Sequence, residues 1–383
     1  MKYEQVFEKI DSLYESYLDI WEAACNIESP SKYKAGVDAV GEYFSELAKK
    51  KGWAVECFEQ EVSGNVVKIT MNPDADKKPL VVSGHMDTVQ PVGSCGTPAV
   101  RRDAEYIYGP GVTDCKGGII GALLAMDALD KCGYTSRPIK LLLQSDEEVS
   151  SKPSNKQTIK YICDESQDSV GFINLERWYP GFAVLVRKGT TTFQFTVTGK
   201  EAHGSLCAKA GANAILDAAH KIIEIEKLKD HDGITCNVGI INGGTVANTV
   251  PGTCIFRANV RFCNAEQLAW VRDYMKSVAA TVHVQGCTCT VNNPSARVAM
   301  EQSERNEEFL REANDAFEKC GLPRLEIMKS NGASDASDVF ASGVRCIDSL
   351  GVDGGRLHSA EEYAIMESLK DCAKRIVALA LNI

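Results

Sequence analysis

Residues 117–128 read G-G-I-I-G-A-L-L-A-M-D-A, and residues 139–144 read I-K-L-L-L-Q. The first stretch predicts a helix of small and apolar residues, the kind that packs tightly on a sheet. The second is a short apolar run, like 66–71 and 80–83 before it. A helix set between apolar strands is a β-α-β crossover, which predicts an α/β domain with a mostly parallel central sheet. Further upstream, Val37, Val40, Phe44 and Leu47 recur at helical spacing, and Lys49, Lys50 and Lys51 before Gly52 mark a helix end.

The texture changes near Arg187. Residues 191–199, T-T-F-Q-F-T-V-T-G, alternate with a period of two, which predicts a strand with one wet face. A helix over 213–227, strands near 234–241 and 254–261, a helix over 265–280 and a strand over 281–291 complete an α+β unit. After Pro294 the α/β rhythm returns, with helices near 305–319 and 334–341, a strand at 345–350 and a last helix from Ala360. Residues 188–294 are therefore expected to form a domain inserted into one built from 1–187 and 295–383.

Composition narrows the function. A chain of 383 residues suits two domains, and its 44% apolar and 25% charged content is that of a globular protein. The net charge of −10 and the lack of a basic block argue against a nucleic-acid partner. Residues 1–21 carry charges throughout, without the basic-then-apolar order of a signal peptide, and no run of 18 apolar residues predicts a membrane span. Fifteen scattered cysteines, with no C-x-x-C, fit reduced thiols and a cytoplasmic setting.

Five segments carry candidate chemistry. In S-G-H-M-D-T-V (83–89), His85 follows a strand and Asp87 lies two residues on, facing the same way if the chain is extended. That suits a metal-bound histidine supported by a carboxylate, although H-x-D alone is also an ordinary turn. In Y-G-P-G-V-T-D-C-K-G-G (108–118), Asp114 precedes a glycine-opened helix; it reads either as an N-cap or as a carboxylate able to bridge two cations. In L-L-L-Q-S-D-E-E-V-S (141–150) a buried strand delivers three acids to its C-terminal end, where α/β sheets place their sites. Glu147 and Glu148 should then face opposite sides, one free to bind metal. Glu176 in I-N-L-E-R-W and His358 in G-R-L-H-S-A-E-E complete the set, each ordinary by itself.

Taken together and in this order, H-M-D-T-V, G-P-G-x-x-D-x-K-G-G and D-E-E resemble the di-zinc family of glutamate carboxypeptidases, aminoacylases, acetylornithine deacetylase and succinyl-diaminopimelate desuccinylase. The resemblance runs from about residue 10 to the C-terminus. It implies two Zn²⁺ per subunit, with Co²⁺ or Mn²⁺ as possible substitutes. Asp114 would be shared by both metals, His85 and Glu176 would complete one shell, and Glu148 with His358 the other. Asp87 would orient His85, and Glu147 would be the general base acting on a zinc-bridged water. The inserted domain would serve as lid and dimerisation surface. There G-K-E-A-H (199–203) would send His203 to an active site of the dimer, and N-T-V-P (248–251) and R-A-N-V-R-F (257–262) would supply Asn248 and Arg261 to substrate oxygens. The family's glycine-rich turn is N-G-A-S-D (331–335) here, which offers Gly332 as a backbone contact but departs from the pattern.

The implied activity is hydrolysis of an amide or peptide bond next to a free carboxylate, as in a glutamate-carboxypeptidase-like exopeptidase; glutamate rather than aspartate at 176 tilts it that way. A deacylase of an N-acyl amino acid fits the same motifs. A non-catalytic, zinc-bearing dimeric binding protein would have no need of Glu147. A cysteine hydrolase built on Cys115 would survive chelation, whereas a zinc enzyme would not. Substrates are thus peptides or N-acyl amino acids, and the assembly a homodimer through the inserted domain.

Overall fold

The computed structural model describes residues 1–293 and 296–383. The chain divides into two compact units. One comprises Met1–Leu185, Gln302–Lys329 and Ser334–Ile383; the other comprises Val186–Glu301 and Ser330–Ala333. The expected second boundary, between 294 and 295, lies outside the described residues.

The first unit is built on a six-stranded sheet in the order Ala54–Phe58, Val66–Met71, Ile139–Gln144, Leu80–His85, Gly171–Asn174, Cys346–Ile347. The last four run parallel and the first two are antiparallel, as the β-α-β rhythm predicts for the middle of the sheet. The glycine-opened helix spans Lys116–Lys131 and is buried from Lys116 to Leu129. Its small residues are required: a Cβ on Gly117 would stand 2.2 Å from the Val112 carbonyl, and one on Gly118 2.5 Å from that of Leu175. The helix is covered by Tyr3–Asn26 and Ser368–Asn382. Val6, Ile10, Tyr17 and Trp21 recur on the buried face of Tyr3–Asn26, a helix masked in the sequence by its many charges.

Two expected elements of the first unit differ. The strand at 345–350 shrinks to Cys346–Ile347. The final helix starts at Ser368 rather than Ala360, because Tyr363–Ile365 is taken into a small sheet with Tyr106–Tyr108, Gly354–Gly355 and Arg101–Arg102.

The second unit is an antiparallel sheet in the order Thr235–Gly243, Thr253–Phe262, Gly189–Thr198, Thr288–Asn292, with helices Ala214–Ile225 and Ala265–Ala280 on its apolar face. Phe193, Phe195 and Val197 alternate inward, and Phe195 stacks on Phe256 with ring centroids 4.6 Å apart. The strand expected over 281–291 begins only at Thr288. The preceding loop is captured by the 214–225 helix instead: the Asp217 carboxylate accepts N–H bonds from His283 (2.9 Å) and Val284 (3.0 Å), while Lys221 donates to the carbonyls of Val278 and Thr281. None of the described helices is long and apolar enough to cross a membrane.

Candidate active site

Strand ends and two loops of the first unit bring seven predicted residues together. His85 closes the Leu80–His85 strand beside Gln144 in parallel register, so residues 85–87 and 145–148 leave the sheet side by side. Glu176 lies two residues beyond Gly171–Asn174, held where Leu175 N–H bonds the Ser83 carbonyl (2.8 Å). The small sheet does the rest. Tyr363 pairs with Tyr108 and Ile365 with Tyr106, which carries the loop holding His358 to the loop holding Asp114. His358 itself has φ 62°, a left-handed conformation that histidine adopts more readily than most side chains.

Asp114 is the centre. One carboxylate oxygen is 3.0 Å from His85 Nε2, and the other is 3.2 Å from His358 Nε2. Glu176 stands 3.9 Å from His85 Nε2, and Glu148 3.1 Å from His358 Nε2. Two ligand-type clusters result, His85–Asp114–Glu176 and Asp114–Glu148–His358, which share Asp114. Burial raises Glu148 to about 7 even with His358 beside it. Burial would raise Asp114 too, but hydrogen bonds with His358 and His85 outweigh it and hold that carboxyl well below the usual range. Bonds to Asp114 and Glu148 push His358 up to about 11. The pocket thus strongly favours positive charge among its carboxylates.

The structure revises the reading of 145–149 and gives Asp87 a second task besides its place beside His85. Residues Glu147–Val149 form a short 3₁₀ turn, not an extended strand end, so alternation of faces does not set where Glu147 and Glu148 point. The turn is held by Asp87. One oxygen of this fully buried carboxylate accepts the Glu147 N–H (3.1 Å), and the other accepts the Glu148 N–H (3.2 Å) and the Ser31 hydroxyl (2.6 Å). His85 Nδ1 meets the Asp87 backbone carbonyl at 2.9 Å, closer than the carboxylate at 3.5 Å. The third acid, Asp146, turns away to accept from Thr158 Oγ1 (2.6 Å) and Ser154 N–H (3.3 Å).

Two buried residues escaped sequence reasoning. Glu362, 1% exposed, accepts N–H bonds from Gly111 (3.3 Å), Thr113 (2.9 Å) and Asp114 (3.0 Å), plus one from Gln90 Nε2 (3.3 Å). It braces the Asp114 loop from a position four residues after His358; the doubled glutamate at 361–362 was the only hint. Lys116 Nζ, fully buried, donates to the carbonyls of Ala24 (3.3 Å) and Ile27 (2.8 Å), tying the end of the first helix to the same region. Cys115 is no nucleophile: it is fully buried, donates to the Leu175 carbonyl (3.2 Å), and burial pushes its thiol far up.

The other four predicted residues belong to the second unit. His203 pairs with Thr249 across a short antiparallel ladder, which puts it next to Asn248; both are exposed. His203 Nδ1 lies 2.8 Å from Ser205 Oγ. Arg261 donates to the Asn331 carbonyl (3.2 Å), and Gly332 gives its N–H to Ser330 Oγ (3.2 Å) and its carbonyl to Arg187 (3.1 Å).

Residues 81–382 match the pattern of Peptidase family M20/M25/M40. The chain belongs to that family. Among its M20 relatives, carboxypeptidase G2 of Pseudomonas sp. (strain RS-16) is 24% identical over 360 residues, covering 91% of this chain and 84% of the relative. The acetylornithine deacetylase of Myxococcus xanthus is 31% identical over 206 residues, covering 50% of this chain and 52% of that one. The crystal structure of a Staphylococcus aureus tripeptidase superposes with a TM-score of 0.78 at 21% identity, covering 96% and 97% of the two chains, and so shares the fold. As an M20 protein the chain is a metal-dependent hydrolase of amide or peptide bonds.

Proposed function

We propose that this M20 protein is a di-zinc exopeptidase that cleaves the amide bond next to a free carboxylate. The observation that carries the reading is Asp114, whose two oxygens each face a separate histidine–glutamate pair. The donor set fits zinc, which takes imidazole nitrogen and carboxylate oxygen at about 2.0–2.2 Å, placing neighbouring ligand atoms roughly 3.3 Å apart. The contacts of 3.0, 3.1 and 3.2 Å around Asp114 and His358 are near that spacing. His85, Asp114 and Glu176 would hold one ion, and Asp114, Glu148 and His358 the other. When bound, the pair supplies Lewis acidity and a water acidic enough to react at neutral pH.

The chain's own groups do the remainder. Glu147 accepts the proton of the attacking water and returns it to the leaving amine. Asp87 fixes Glu147 and Glu148 by their backbone N–H groups. His203 donates to the oxyanion, and Asn248 and Gly332 position the substrate's polar atoms. Arg261 forks onto the free carboxylate; burial and the neighbouring Arg297 depress its pKa, so an anion there is welcome. The second unit, taken as the inserted lid, also forms the surface of a homodimer. In support, the Thr235–Gly243 strand lies at the sheet edge with Ile240 and Ile241 exposed, an apolar edge suited to pairing with a second copy. All fifteen cysteines are free thiols, which supports a cytoplasmic setting.

The relatives' names keep a deacylase of N-acyl amino acids as the second reading. A panel of dipeptides, N-acyl amino acids and their C-terminal amides separates the two. Hydrolysis should vanish with a chelator, return with zinc, and spare the amides. Cleavage of the amides as fast as the free acids would overturn the carboxylate assignment.

A further inference from the structure

A cavity of about 450 Å³ opens in the first unit directly beside the candidate metal cluster, with Glu148 forming part of its wall. Most of its remaining wall is apolar, from Pro30, Tyr33, Val89, Pro91, Val92 and Val149. Tyr33 and Val92 are left 47% and 56% exposed around it. Three polar groups of the wall are already engaged. Ser31 gives its hydroxyl to Asp87 and its N–H to the Thr88 carbonyl (3.1 Å), the Thr88 N–H goes to Ser29 (2.9 Å), and Glu148 faces His358. The prolines have no N–H to offer. Lys32 is exposed.

Concave apolar surface of this size, continuous with a catalytic cluster, is the ordinary form of a ligand subsite. A group seated there finds mainly dispersion contacts, with exposed Lys32 the single cation of the lining and no guanidinium fork. We propose that this cavity is the acyl subsite, and that it selects substrates whose acyl part is aromatic or a long apolar chain over those with a small acyl group. This rests on the hydrolysis proposed above. With the acyl group held against Glu148, its carbonyl would lie beside the residues proposed to hold the metals.

The test uses the N-acetyl, N-hexanoyl and N-benzoyl derivatives of whichever amino acid the substrate panel finds best, with the zinc-loaded full chain. Burial of each added methylene is worth about fourfold in kcat/KM, so hexanoyl should exceed acetyl by at least about 50-fold, and benzoyl should be similarly favoured. Two variants address the cavity, Val92→Asp on an exposed loop and Tyr33→Ala. Each should lower kcat/KM for the hexanoyl and benzoyl compounds about tenfold or more while the acetyl compound stays within about threefold. Equal rates for all three acyl groups, or discrimination that persists unchanged in both variants, would overturn the subsite and leave the hydrolase intact. If the zinc-loaded protein cleaves dipeptides but none of the three acyl compounds, the subsite falls and the exopeptidase stands; if it cleaves neither class, the proposed function falls as well.

Discussion

Replacing Asp87 with asparagine separates two accounts of a fully buried carboxylate. On one account it serves His85; on the other, which the distances favour, it builds the turn carrying Glu147 and Glu148. An amide keeps one acceptor oxygen and puts an NH₂ where the other stood. Turned either way, that nitrogen faces the N–H of Glu147 or of Glu148, and one backbone donor is orphaned. A hydrogen bond to a charged acceptor is worth about 1.5–3 kcal/mol, and a buried unsatisfied N–H costs about 1–3 kcal/mol. The turn therefore loses about 3 kcal/mol or more, which corresponds to roughly 10²-fold in kcat/KM if it appears as misplacement of the two glutamates. Ser31→Ala is the companion, because it removes only the 2.6 Å bond to the same carboxylate without approaching His85. It should cost about tenfold. Steady-state kinetics at saturating zinc, with metal content measured on the same samples, gives both numbers. Asp87→Asn within about threefold of wild type would refute the argument. So would a silent Ser31→Ala beside a crippled Asp87→Asn, since the carboxylate would then be working through His85.

Four further outcomes are expected. Glu147→Gln should lower kcat by about 10²–10⁴-fold with two metals retained, while Glu148→Gln loses metal; the opposite pattern would exchange their roles. Glu362→Gln turns an amide N–H toward the Gly111–Asp114 donors and should weaken metal binding about tenfold or more in competition with a chelator, so an unchanged affinity would remove Glu362 as a brace. Mixed dimers of Glu147→Gln and His203→Ala subunits should regain activity that neither parent has, and inert heterodimers would argue against His203 acting on the partner's site. Asp217→Asn should destabilise the second unit by about 3 kcal/mol, because it breaks a buried pair with Lys221 (3.2 Å) and weakens the two N–H bonds that hold the following loop. Burial opposes ionisation of Asp217, but those bonds and Lys221 outweigh it and lower its pKa. The stabilisation is therefore complete above the unfolded value of about 3.9 and disappears as pH falls through the lower folded value. Denaturant melts should show a larger wild-type advantage at pH 7 than at pH 3, and an equal advantage at both would count against the pair.

What the sequence made legible follows from range. The strands Val66–Met71 and Ile139–Gln144 and the helix Ala265–Ala280 stand where the apolar pattern put them, because burial on one face leaves a local signature. The helix Tyr3–Asn26 was hidden because its exposed face outweighs its buried one in charge. Glu362 and Asp87 act through backbone N–H groups distant in sequence, and no spacing rule exposes such a bond. The proposed two-metal pairing needed family resemblance, since Asp114 and His358 lie far apart in sequence and meet through the ladder of Tyr106–Tyr108 with Tyr363–Ile365 and the Glu362 brace. The strand misread at 281–287 lost its register to a carboxylate sixty-six residues away.

The interrupted layout of the first unit also sets an order of events at the ribosome. Its first 185 residues emerge complete with His85, Asp114, Glu148 and Glu176, yet the strand that finishes the sheet and the loop with His358 are made only after about 160 more. At roughly 5–20 residues per second, the second of the two proposed ligand sets waits about 8–35 s for His358. Meanwhile Val186–Glu301, almost the whole of the second unit, has emerged as one continuous stretch that carries its own hydrophobic core. On the proposed two-metal reading, a nascent chain that has not reached His358 lacks a ligand of the second ion, so it holds at most an incomplete centre.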